Sequence, residues 1–192
     1  MSKSDPASAR KELNKTVRWV VTVFLVTIVV SGAISLGSEE LMANSSILVA
    51  FLILLAIVLL GIIFDVVGVA VTSADEKPFH SMAARKVPGA QEAIQLLRNA
   101  EKVGSICNDV IGDICGVVSG SASATIAAQI LSNFEFTWPR IVSLFMSSLV
   151  AAMTVGGKAL GKTVAIHSCT TIVHGVGTVI WWFRRLFIKE KK

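Results

Sequence analysis

The segment ILVAFLILLAIVLLGIIFDVVGVAV, residues 47–71, decides the fold, because its only charged residue is Asp65. As a helix rising about 1.5 Å per residue it exceeds the roughly 30 Å hydrocarbon core of a bilayer. It therefore reads as a membrane span long enough to tilt or to project beyond the lipid. Its first half is plain lipid-facing sequence, and its second half holds Gly61, Asp65 and Gly68.

Three further apolar runs, residues 19–36, 106–131 and 141–160, are long enough to cross as well. The whole chain agrees: 192 residues, 53% hydrophobic and 16% charged, leave no soluble domain of useful size. The expected fold class is all-α, a polytopic membrane helical protein with four transmembrane helices and a cytoplasmic-side amphipathic, interfacial C-terminal helix. Residues 1–18 form a basic cytoplasmic N-terminus with Lys3, Arg10, Lys11, Lys15 and Arg18. Residues 19–36 form a retained span, longer than a signal core and followed by SLGSEELMANSS, which lacks a small-x-small cleavage site. Residues 37–46 read as a short acidic loop around Glu39 and Glu40.

Residues 73–105 are a polar linker with Lys77, Arg85, Lys86, Arg98 and Lys102, divided by Pro88 and Gly89. After that break Ala93, Leu97, Ala100 and Val103 recur at helical spacing, so the linker should lie as a helix against the membrane or another helix. In the third run Gly112, Gly116, Gly120, Ala124 and Ala128 recur every fourth residue, predicting a small-residue groove along one face that lets another helix pack closely. Residues 162–192 hold an interfacial helix and a basic tail. If this segment crossed the bilayer, Arg184, Arg185 and the terminal lysines would lie outside, whereas Trp181, Trp182 and Phe183 would anchor it in the interface. With both termini and the linker in the cytoplasm, 17 of the 18 Lys and Arg residues lie inside or at the inner boundary, and only Arg140 lies outside. That asymmetry sets the orientation, in a cell (inner) membrane.

Several function classes fall away. The net charge of +5 comes from residues flanking apolar runs, so a nucleic-acid partner is not expected. Cys107, Cys115 and Cys169 are odd in number and form no CxxC pair, so neither a disulfide framework nor a thiolate metal site is expected. His167 and His174 are seven residues apart, about 10 Å along a helix, too far to hold one metal, and His80 stands alone in the linker. No nucleophile motif, phosphate loop or acid–base pair is present, so the chain does not read as an enzyme.

Asp65, Asp109 and Asp113 are placed at membrane depth, where each carboxylate costs roughly 2.5–3.5 kcal/mol. Asp109 and Asp113 share a helical face, and Asn108 is adjacent. If the second and third spans pack antiparallel, Asp65 approaches this pair, with the hydroxyls of Thr72 and Ser73 close by in sequence. Converging carboxylate, amide and hydroxyl oxygens suit a hard cation such as Mg²⁺. The competing reading is structural: Lys158 or an inner-boundary arginine neutralises one aspartate, and protonation removes another.

At these residues the chain resembles the transmembrane domain of the CNNM/CorB family of magnesium transporters. The family pattern F-S-x-x-E-T-A-L-T-S is similar to Phe64-Asp65-Val66-Val67-Gly68-Val69-Ala70-Val71-Thr72-Ser73. Its linker pattern is similar to Gly89, Ala93, Leu96, Leu97 and Asn99, leading into Ile106-Cys107-Asn108-Asp109-Val110-Ile111-Gly112 where the family has G-N-N-x-V-N. Its G-E-x-x-P-K motif corresponds to Gly156-Gly157-Lys158-Ala159-Leu160-Gly161. The resemblance covers about residues 47–188, with residues 47–161 as the core and residues 19–36 as an added span. The family's glutamates are replaced by Gly68 and Gly157 and its proline by Leu160, while Asp65 stands for a serine and Asp109 for an asparagine. Negative charge is thus relocated.

The resemblance implies a homodimer in the lipid bilayer, a divalent-cation cavity between helices, a belt helix formed by the C-terminal segment, and Mg²⁺ as the transported or bound ion. The regulatory nucleotide-binding domains usual in the family are lacking, which leaves a place for a separate regulatory subunit. The expected ligands are Asp65, Asn108 and Asp109 by correspondence, Asp113 by charge alone, and Ser73, whose hydroxyl lies nearby in sequence. The function expected is divalent-cation transport; the alternative is a non-transporting membrane scaffold or partner subunit that packs through the Gly112–Ala128 stripe.

Overall fold

In the computed structural model the backbone is described for residues 6–43, 45–133 and 138–189, and side chains for residues 16–42, 45–133 and 138–186. The side chains of Lys3, Arg10, Lys11, Lys15, Lys191 and Lys192 lie outside the described residues. Everything described is helix or short connection. Four helical stretches are long and apolar enough to cross a membrane: Thr16–Met42, Ile47–Ser73, Ala100–Asn133 and Pro139–His167.

The first stretch belongs to α1 (Pro6–Ala43), which runs straight through the expected acidic loop. Residues 38–43 contain no glycine or proline to stop a helix, so Glu39 and Glu40 form its last turns and only residues 44–46 connect to α2 (Ile47–Ser73). α2 is the centre of the molecule. Ala50, Leu54, Val58, Gly61, Asp65 and Gly68 are buried along one face at steps of three or four.

The linker folds as three short helices, α3 (Lys77–Ala84), α4 (Ala90–Arg98) and α5 (Ala100–Ser105). α3 ends in a Schellman motif: Lys86 adopts φ 58°, its N–H donates to Ala83 O, and Val87 N–H donates to Met82 O. Pro88 then prevents continuation. The expected apolar stripe exists but meets protein: Ala93 and Leu97 pack with Phe79, Ala70, Val71, Ala165 and Val173 into a core at this end of the bundle.

α5 runs without a break into a π-helical turn, Ile106–Gly112, and on into α6 (Asp113–Asn133). α6 buries Cys115, Val118, Ser119, Ala122, Ser123, Ile126 and Ala127. The four-residue stripe therefore does not line one packed face. Gly112 is buried, but Gly120, Ala124 and Ala128 are exposed, and a Cβ on Gly116 or Gly120 would meet nothing within 4 Å. The reason is geometric: at 3.6 residues per turn a strict i+4 series rotates about 40° per step, so a stripe buried at Gly112 has left the interface by Gly120.

α7 (Pro139–His167) starts with proline at its first position and continues seven residues beyond the expected 160. Ser168 interrupts it, and α8 (Cys169–Lys189) packs on α4 and the end of α2. The crossing is backbone to backbone. Gly89 has φ 82°, and a Cβ there would lie 2.6 Å from Thr178 Cα and 2.7 Å from the Gly177 carbonyl carbon. Arg184 reaches Glu92 at 4.0 Å, and the Arg185 guanidinium stacks 5.2 Å above the Trp181 ring.

Candidate intramembrane charge site

The site lies where α2, α7 and the π turn meet. Association of helices in lipid depends on close packing and polar contacts, because no hydrophobic driving force separates helix from hydrocarbon. Here glycines supply the closeness. Gly61 on α2 receives Cys115, Gly161 on α7 receives Val66, and Gly68 receives the Asn108 amide so tightly that a Cβ would lie 2.7 Å from Cγ of Asn108.

In that seam Asp65 is buried, its side chain 6% exposed, and faces Lys158. The Lys158 ammonium lies 3.7 Å from Asp65 Oδ1, 3.9 Å from Asp113 Oδ1, and donates a long 3.4 Å hydrogen bond to Gly112 O. Gly112 makes this possible, since a Cβ there would sit 3.2 Å from Nζ. Asp113 differs from Asp65 in reaching the lysine from the rim, with its side chain 74% exposed.

All three distances exceed a normal N–H···O length of about 2.7–3.2 Å, so the ammonium is held by charge more than by directed hydrogen bonds. Taking the 3.7 Å separation and an effective dielectric near 20, the Asp65–Lys158 attraction is about 4 kcal/mol. That offsets much of the cost of burying both groups. With both carboxylates ionised and the lysine protonated, the group carries one net negative charge.

Two acceptors in the same seam are left over. Asp65 Oδ2 and Asn108 Oδ1 are buried and have no hydrogen-bond partner. A buried polar atom without a partner is uncommon, and such atoms mark sites of water, ions or function. The π turn carries Asn108; such single-turn widenings recur at functional sites because they change which residue faces inward.

The remaining expected ligands lie elsewhere. Asp109 is exposed, accepts a 2.8 Å hydrogen bond from Ser105 Oγ, and lines a cleft of about 800 Å³ between α1 and α5. Ser73 is exposed at the end of α2. Among the described residues no three His, Cys, Asp or Glu side chains gather as a metal-holding cluster. His167 ends α7, its Nδ1 2.8 Å from Thr163 O, while His174 lies on α8; His80 pairs with Glu76 at 3.3 Å.

Sequence reading names Lys158 as a neutraliser of one aspartate, and the structure gives it two. The π turn escapes that reading, and its only signal is the polar pair Asn108-Asp109 inside an apolar run. Compared with protein-family profiles, with characterised proteins and with solved structures, the chain gives no match.

Proposed function

We infer that this multi-pass membrane protein moves a cation, with Mg²⁺ as the proposed cargo, through the Asp65–Lys158–Asp113 group. The observation that carries the reading is the loosely held lysine beside a carboxylate oxygen, Asp65 Oδ2, that is buried and has no donor. Lys158 acts as a tethered counter-ion. When cargo arrives, the ammonium swings away on its four-carbon stem and the divalent ion takes its position between the carboxylates. Charge balance favours the exchange: two carboxylates against one lysine leave −1, and against a divalent cation leave zero. Mg²⁺ keeps part of its water shell and needs only one or two carboxylates, so Asp65 and Asp113 with the Asn108 and Gly112 carbonyls form a sufficient set. Asp109 and Ser73 stand outside this path. The role is transport, not catalysis.

The same proposal includes an inner-membrane location, cytoplasmic termini, an interfacial α8 and a homodimeric assembly with scope for a separate regulatory subunit. The correspondence of Asp65 and Asn108 with the CNNM/CorB motifs supports it, since Asn108 packs on Gly68, one turn from Asp65 on α2. A scaffold reading is favoured by one observation, the small-residue face of half-buried Gly116 and exposed Gly120, Ala124 and Ala128. Mg²⁺ flux into proteoliposomes separates the two. Transport predicts flux for the natural protein and none for Asp65→Asn purified as the same oligomer; absence of flux in both, with both folded, favours the scaffold.

A further inference from the structure

The cleft beside Asp109 lies outside the Asp65–Lys158–Asp113 group and shares only Asn108 with the proposed ligands. Its walls come from the first turns of the α1 span, the last turn of α2, and α5 with the π turn, all at the same end of the bundle. It therefore opens at the depth where lipid headgroups lie, and Arg18 and Trp19, residue types typical of that boundary, form one side. α1 is held to the bundle further along, through Val23, Val30 and Ile34 and by a 2.9 Å hydrogen bond from Gln129 Nε2 to Met42 O. Near Arg18 it leaves about 800 Å³ unfilled, in the range of small-molecule sites.

Charges of both signs line this space: Arg18 and Lys102 against Glu101 and Asp109. Among the described residues none of the four is in an ion pair. An anionic ligand would leave two carboxylates facing it, and a bare cation would leave two basic groups facing it. A ligand with a phosphodiester beside an ammonium satisfies all four. We propose that the cleft binds the headgroup of an ethanolamine-type phospholipid, the phosphate on Arg18 and Lys102 and the primary ammonium on Glu101 and Asp109. On α1 the exposed apolar residues Val26 and Val29 follow Thr22 on the same helical face, four and seven residues on, as a track for an acyl chain. A primary ammonium donates three hydrogen bonds to carboxylates, whereas a choline headgroup donates none and would call for an aromatic cage in place of the lone Trp19.

The test is native mass spectrometry and thermal unfolding of the full chain in detergent, with phosphatidylethanolamine, phosphatidylcholine or phosphatidylglycerol added at equal mole fraction. The expected result is at least a tenfold preference for phosphatidylethanolamine. That preference should vanish in Glu101→Gln/Asp109→Asn, while Arg18→Gln/Lys102→Gln should weaken phospholipid binding generally. Equal binding of the three lipids, or a preference that survives Glu101→Gln/Asp109→Asn, overturns the proposal. Soluble phosphoethanolamine serves as the remaining arm: if it binds as tightly as the lipid, the ligand is a free zwitterion and the lipid assignment is wrong. Glu101 is exposed and Asp109 touches only Ser105 through a hydrogen bond, so Glu101→Gln alone provides a variant that keeps the fold.

Discussion

Replacing Lys158 by methionine keeps the aliphatic stem and removes the charge, leaving Asp65 buried with no counter-ion. From the 3.7 Å separation the lost attraction is about 4 kcal/mol at an effective dielectric of 20. Breaking a buried pair on one side costs about 3–5 kcal/mol, so Lys158→Met should destabilise by roughly 3 kcal/mol after relaxation. Lys158→Met/Asp65→Asn should recover most of that, because neither charge is then stranded. Asp113, at a similar 3.9 Å but 74% exposed, should couple to Lys158 by less than about 1 kcal/mol, since solvent or headgroups screen it. Two double-mutant cycles, 65–158 and 113–158, followed by denaturant unfolding in bicelles, give both coupling energies. A 65–158 coupling no larger than the 113–158 coupling would refute the burial argument on which the site is built.

Three other substitutions test the packing. Gly89→Ala must adopt φ 82° and push into the backbone of α8, so it should cost at least about 2 kcal/mol and raise hydrogen exchange along α8; wild-type exchange would contradict the crossing. Gly68→Ala would drive a methyl into the Asn108 amide and should destabilise by about 1–3 kcal/mol, with neutral unfolding as the contrary result. Gly120 is exposed and an added Cβ there meets nothing within 4 Å, so Gly120→Leu should change intrachain stability by less than about 0.5 kcal/mol. If it nonetheless dissociates an oligomer on size-exclusion chromatography, the exposed stripe is an assembly surface.

Much of this architecture was legible because a bilayer limits a chain so strongly. A run such as residues 47–71 is long and apolar enough to cross a bilayer as one helix, and Gly61, Asp65 and Gly68 already share a face by spacing. Boundaries were less legible. Residues 38–43 hold no glycine or proline to stop a helix, so acidity alone was a poor sign of a loop, and the polar end of α7 stays helical because Gly161 and Ala165 pack against neighbours. The stripe after Gly112 misled because repetition every fourth residue looks straight on paper and winds around a real helix. In the charge site, the aspartates and Lys158 were visible as costs needing partners. That Lys158 could neutralise one of them was legible too; that it stands between two was not, because this depends on the π turn and on Gly112, whose missing side chain lets the ammonium approach.

The central claim is that cargo displaces Lys158 from between two carboxylates. It is tested most directly by the rise in unfolding temperature on adding Mg²⁺, compared among the natural protein, Lys158→Gln and Asp65→Asn. Removing the tethered cation removes the competitor, so the account predicts a larger Mg²⁺-dependent rise in Lys158→Gln than in the natural protein and none in Asp65→Asn. A rise that is the same in all three, or absent from the first two, would contradict it.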